Sequence, residues 1–212
     1  MDIALIGGHG KVALHLIPLL NAEGHHVDAV IRNPQHEPDV VDAGADAVVA
    51  DVETMDTDTL ADLLRGHDLV IWSAGAGGGS PQRTYAVDRD AAIRSMDAAS
   101  QGGVGRYLMV SYFGAGKNHG VPIDNSFYPY AQAKAEADEH LRHSNLNWTI
   151  LAPSRLTDGE ATGRIEVGGS AGSVSRADVA AVIAAAVERP KLTGSMIKFN
   201  SGPTPIAQAL AT

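Results

Sequence analysis

Short runs of consecutive apolar residues alternate along the chain with stretches whose apolar positions recur every three to four residues. The first pattern marks strands buried on both faces, and the second marks helices with one buried stripe. Ile3–Ile6 reads as a strand, and Val12–Leu20 as a helix whose Pro18 bends the last turn. His26–Ile31 is a second strand, Pro34–Ala43 a short helix and Asp46–Ala50 a third strand. Met55–Leu64 is a helix, Leu69–Trp72 a fourth strand, and Ser73–Ser80 a loop reading SAGAGGGS. Asp88–Gln101 is the next helix, closed by Gly102 and Gly103, and Arg106–Ser111 is a fifth strand. A long polar loop over Gly114–Phe127 leads to a helix over Tyr130–Arg142 and a strand at Trp148–Leu151. Pro153–Ser173 is irregular, with a short strand at Arg164–Val167. A helix from Ser175 or Arg176 to Val187, a strand at Met196–Phe199 and a helical turn at Pro205–Leu210 complete the chain. Strand and helix alternate, and the strands are apolar throughout. That is the signature of a mostly parallel sheet covered on both faces.

Length sharpens this picture: 212 residues suit one α/β domain and leave little room for a separate substrate domain. A net charge of -9, from 16 basic and 25 acidic residues, disfavours general binding to nucleic acid or a membrane surface. It is compatible with a local basic pocket for an anionic cofactor. Without cysteine there is no disulfide, thiolate nucleophile or Cys-ligated metal. The first apolar run is too short for a signal peptide or a span, so cytoplasmic residence is the expectation. The nine histidines show no metal-ligand spacing, and no metal is expected.

Gly7, Gly10 and Ala13 form G-x-x-G-x-x-A between the first strand and the first helix. A glycine after the strand permits a sharp turn, the second lets the backbone approach a pyrophosphate, and the small third residue lets helix and strand pack closely. The pyrophosphate would meet the helix N-terminus near Lys11 and Val12. A tight turn with no ligand is the plainer reading of the motif alone. Dinucleotide sites built for NAD place a carboxylate at the end of the second strand, whereas Arg32 stands there. A guanidinium holds a 2′-phosphate with paired hydrogen bonds, which favours NADP with NAD as the alternative. Arg32 as a solvated strand end is the rival reading. Asp28, mid-strand, is the only nearby acid that argues for NAD. The loops after the third and fourth strands add Asp51, Val52, Ser73, Ala74 and Gly75 as candidate cofactor contacts.

Ser111 ends the fifth strand, and Tyr130 and Lys134 share a face of the following helix. A tyrosine titrates near about 10, and a neighbouring ammonium is expected to lower that value and ready the hydroxyl for proton transfer. Lys134 also has the reach to bind the nicotinamide ribose, and Ser111 to orient a substrate oxygen. A structural role for the Tyr130–Lys134 pair is the alternative.

The ordered series IALIGGHGKVALHLIPLL, AVIRNP, VDRDAAIRSMDAASQGGVGRYLMVSYFGA, YAQAKAEADEHLRHSNLNWTILAPSRLTDGEATGRI and SVSRADVAAVIAAAV resembles the atypical short-chain dehydrogenase/reductases, the NmrA-like and biliverdin-reductase-B-like group. The resemblance covers nearly the whole chain. It implies a three-layer NAD(P)-binding Rossmann fold as a single domain over 1–212, with a small substrate-side cap at 153–175. It implies cofactor roles for Gly7, Gly10 and Arg32 and catalytic roles for Ser111, Tyr130 and Lys134. The expected activity is NADPH-dependent reduction of a small carbonyl, quinone or conjugated acceptor by a monomer or homodimer. A dinucleotide-binding redox sensor without turnover and an epimerase or isomerase are the alternatives. Two departures stand out: His9 replaces a small hydroxyl residue in the turn, and the arginine usual after the sixth strand is displaced to Arg155.

Overall fold

The computed structural model describes residues 1–78 and 80–211, so Gly79, within the Ser73–Ser80 loop reading, and the terminal Thr212 lie outside the described residues. The larger sheet has nine strands, of which seven consecutive ones are parallel. From one edge these are β3 (Asp46–Val49), β2 (His26–Ile31), β1 (Asp2–Ile6), β4 (Leu69–Trp72), β5 (Arg106–Val110), β6 (Asn147–Pro153) and β10 (Ser195–Ser201). Strands β8 (Arg164–Val167) and β11 (Thr204–Pro205) continue the other edge antiparallel. The order 3-2-1-4-5-6 reverses direction between β1 and β4, and ligands bind at that reversal, beyond the carboxyl ends of the strands.

Strand β1 shows why successive positions of the central strands are apolar rather than alternating. Ile3 and Leu5 enter the core beneath α1 (Lys11–Ala22) and α7 (Arg176–Val187), with Leu16, Ile17, Val182 and Ile183. Ala4 and Ile6 enter the opposite core, beneath α3 (Thr57–Leu64), α5 (Ala92–Gly102) and α6 (Tyr128–His143). With a core on each face, a strand has no water-facing side on which to place polar residues. None of the described helices is long and apolar enough to cross a membrane.

Three elements differ from the sequence reading. Pro34–Ala43 divides into a 3₁₀ turn (Pro34–His36), capped by Asn33, and α2 (Glu37–Asp42). The helix expected at Asp88 begins seven residues earlier, as α4 (Pro81–Thr84), with Ser80 capping the Arg83 amide and Pro81 in the first turn. It widens into a π-helical stretch at Tyr85–Ala91 before α5. The proposed cap at 153–175 is not one body. Residue 153 still belongs to β6, β8 joins the main sheet, and only β7 (Arg155–Thr157) and β9 (Ser173–Ser175) pair separately. Buried Asp178 holds the segment down, because its carboxylate accepts from the Thr162 and Gly163 amides and from both the Thr162 and Ser175 hydroxyls. The last element, α8 (Ile206–Ala209), follows β11.

Candidate functional site

The turn after β1 is built as its glycines require. Gly7 and Gly8 both donate to the Val30 carbonyl, at 3.1 and 3.0 Å, tying the turn to β2. Gly7 has φ +88°, and a Cβ there would lie 2.7 Å from the backbone of Ala74. Gly8, absent from the sequence motif, fills the packing role: a Cβ on it would lie 2.6 Å from that of Ala29. Gly10 is the N-cap of α1, with no side-chain cap and no acid in the first turn. Asp56 and Ser175 do cap α3 and α7. The first N–H groups of α1 are therefore left to an anion in the cleft, the arrangement that suits a pyrophosphate.

A cleft of about 370 Å³ opens beside this turn. The predicted residues Gly7, Gly10, Arg32, Asp51, Val52, Ser73, Ala74 and Gly75 all line it. Arg32 is exposed and reaches Glu53 at 3.3 Å; Arg83 lies 3.4 Å from the same carboxylate. Asp51 accepts from the Glu53 amide and so shapes the loop that carries Glu53. His9 stacks on His36 with ring centroids 3.6 Å apart and contacts Asp39 at 2.8 Å. His9 and His36 line the cleft together with Arg32, a stacked contact that a small hydroxyl residue could not make. Asp28 sits mid-strand, 3.0 Å from His67, away from the β2 carboxyl end. Asp28 therefore lies outside the cleft, whereas the carboxylates of Asp51 and Glu53 line it.

A second cavity, of about 1070 Å³, adjoins the first and shares Gly10, Ser73, Ala74 and Gly75 in its lining. Lys11, Val12, Ser111, Tyr130 and Lys134 all face it. The Tyr130 ring packs against Tyr112 and Phe127, at 5.4 and 5.2 Å between centroids. Its hydroxyl has no hydrogen-bond partner among the described residues and is not sealed off. Burial, with the carboxylates of Asp88 and Asp138, pushes Tyr130 above its ordinary value, opposite to the expected lowering by Lys134. The Lys134 ammonium donates instead to the Val110 carbonyl at 2.8 Å. Ser111 likewise is committed: its hydroxyl donates to Asp138 at 2.6 Å. Lys11 pairs with Asp158 at 3.1 Å.

Asp138 and Asp88 are site residues that the sequence reading missed. Asp138 is fully buried, one turn beyond Lys134, and its second carboxylate oxygen has no partner among the described residues. Burial raises its pKa, against the opposing pull of Lys134, Ser111 and Arg142. A raised folded-state value makes this group's contribution to stability complete below the unfolded pKa and lost as pH rises through the folded one. Asp138→Asn keeps an acceptor for Ser111 without the charge. It is expected to raise Tm by a few degrees at pH 7, with the gain shrinking towards pH 4, as thermal unfolding at both pH values would measure. Asp88 accepts from the Ala76 amide at 3.0 Å and so fixes the glycine loop. The π-helical stretch carries it there, as such stretches often do at functional sites.

Two further features named or excluded in the sequence lie apart from the clefts. Arg155 lies exposed on β7 and lines neither cavity. His26, Asp28 and Asp46 bring possible ligand atoms within 4.8 Å of one another, at the amino end of β2 and away from both clefts. Sequence spacing hides this group because Asp46 joins it through the β2–β3 register.

Residues 7–190 match the family described as NAD(P)H-binding. The chain belongs to that family. A nicotinamide dinucleotide is therefore its cofactor class, and the uncapped α1 terminus fits one. The Bacillus subtilis protein YhfK, named an uncharacterized sugar epimerase, is 31% identical over 99% of each chain. A solved Bacillus halodurans structure, provisionally named an NAD-dependent epimerase/dehydratase, aligns with TM-score 0.91 at 32% identity over 99% of this chain and 98% of that one. ChuY from Escherichia coli O157:H7, described as an anaerobillin reductase, aligns with TM-score 0.78 at 27% identity over 96% of this chain and all of its own.

Proposed function

We propose that the protein is an NADPH-dependent reductase of a small carbonyl, quinone or conjugated acceptor. The observation that carries this reading is the Tyr130 hydroxyl, unpaired and open to the larger cavity, which adjoins the uncapped helix terminus. Gly7, Gly10 and the first turn of α1 would hold the pyrophosphate, and Arg32 the 2′-phosphate. A reduced nicotinamide, when bound, supplies a hydride. The chain supplies the proton: Tyr130 keeps it through the neutral range because burial and two carboxylates hold its pKa up. Lys134, held by the Val110 carbonyl and the Met109 sulfur, keeps one further N–H for a ribose hydroxyl. Ser111, its proton given to Asp138, turns oxygen lone pairs to the cavity and orients a donor rather than a carbonyl.

The names of relatives include both epimerases and reductases. Tyr112 and Phe127 pack against Tyr130, and exposed Ile123 lines the same cavity. This favours a flat apolar acceptor over a sugar, which needs many hydrogen-bonding groups. Arg32→Ala tests the cofactor side. Loss of a charge-assisted contact of about 1.5–3 kcal/mol is expected to weaken NADPH about tenfold to hundredfold and leave NADH nearly unchanged. Fluorescence titration with both nucleotides measures this, and equal losses for the two would remove Arg32 from the phosphate site.

A further inference from the structure

Resting on the reductase reading, we propose that the acceptor is anionic as well as conjugated. Its carboxylate or sulfonate pairs with Arg176 in the position that Asp158 now occupies. Arg176 opens α7 and lines the larger cavity along with Lys11, the first residue of α1. Both cations converge on one exposed carboxylate: Arg176 reaches Asp158 at 2.6 Å and Lys11 reaches it at 3.1 Å. That carboxylate comes from the loop between β7 and β8, whose residues 158–163 are exposed. The two cations stand on firmer ground. Arg176 follows the Ser175 cap, and Asp178 fastens residues 162 and 163 to that same helix start.

The larger cavity thus already has a carboxylate on its lining cation Arg176, supplied by the chain itself from an exposed loop. A substrate anion there exchanges one charge-assisted contact for another and releases a solvated aspartate, at small net cost. Phe127 and Tyr130, whose rings pack together, line the same cavity as Arg176, so a conjugated anion there has both aromatic and cationic partners. In a chain of net charge -9, two cations lining this cavity also favour entry of anions over the surrounding surface.

The test is calorimetric titration of the NADP-loaded protein with 1,4-naphthoquinone-2-sulfonate and with its uncharged analogue menadione. The chain has no cysteine, so quinone adducts with thiols do not interfere. The sulfonate is expected to bind about tenfold or more tightly than menadione. Arg176→Gln is expected to abolish that preference without changing menadione affinity, Arg176→Lys to retain part of it, and Asp158→Asn to widen it. Equal affinity for the two quinones, or a preference that survives Arg176→Gln, would overturn the proposal. So would tighter binding of UDP-glucose than of the sulfonate, since the anion would then be a nucleotide-sugar diphosphate. Consumption of NADPH at 340 nm is followed separately. Its absence with both quinones counts against the reductase reading, while the binding comparison still judges the anion site.

Discussion

Tyr130→Phe is expected to lower kcat for a carbonyl acceptor by about 10²- to 10⁴-fold, the usual contribution of a positioned proton donor. NADPH affinity should hardly change. The ring is fixed by Tyr112 and Phe127, so phenylalanine keeps the packing and loses only the hydroxyl. The pH profile carries the sharper sign. Burial and the carboxylates of Asp88 and Asp138 raise the tyrosine above its ordinary value of about 10, so the acid form persists across the neutral and mildly alkaline range. The wild-type rate should therefore show no alkaline decline due to this group below about pH 9. A decline near neutrality that disappears in the phenylalanine variant would mean that Lys134 controls the tyrosine after all. In the structure Lys134 is turned to Val110 instead.

Gly7→Ala is expected to destabilise the fold by about 2–5 kcal/mol and weaken cofactor binding at least about tenfold, as displacing a turn beside the pyrophosphate should. Two effects add. The left-handed backbone costs an L-residue roughly 1–2 kcal/mol, and the new methyl meets the Ala74 backbone, which cannot swing aside as a side chain can. For a chain of this size the loss amounts to roughly 5–20 °C in Tm. Gly24→Ala separates the two effects. Gly24 has φ +79° with nothing near its missing methyl, so it should show the backbone cost alone. Thermal unfolding of the two variants side by side measures the difference. Similar losses would mean that the β1–α1 turn can yield to a side chain.

Much of the fold can be read directly from local pattern. The bounds of β2, β4 and β8 match the expected ones, and for β4 the reason is an unbroken apolar run, LVIW, bounded by Asp68 and Ser73. The start of α4 was legible too, in Ser80 and Pro81, but the irregular period of the π-helical stretch hides it. In the site, the glycine turn and Arg32 follow from chain order, and the structure brings them to one cleft. Where each proton and charge goes does not follow from spacing. Lys134 and Tyr130 share a helix face as their four-residue spacing requires, yet the ammonium turns to a strand carbonyl and the serine to Asp138. Those choices depend on which acceptors β5 and α6 present to each other across the core, a tertiary property. Gly8, Asp88, Glu53 and Arg176 act through partners distant in sequence and carry no local mark.

The central claim is that the chain reduces an acceptor with NADPH through Tyr130. Absorbance at 340 nm, with NADPH or NADH against a panel of quinones, flavins and small aldehydes, tests it most directly. The account predicts that NADPH is oxidised faster than NADH at equal subsaturating concentrations, and that Tyr130→Phe removes the rate with aldehydes. Tight NADPH binding with no oxidation by any acceptor would contradict it and favour a dinucleotide sensor.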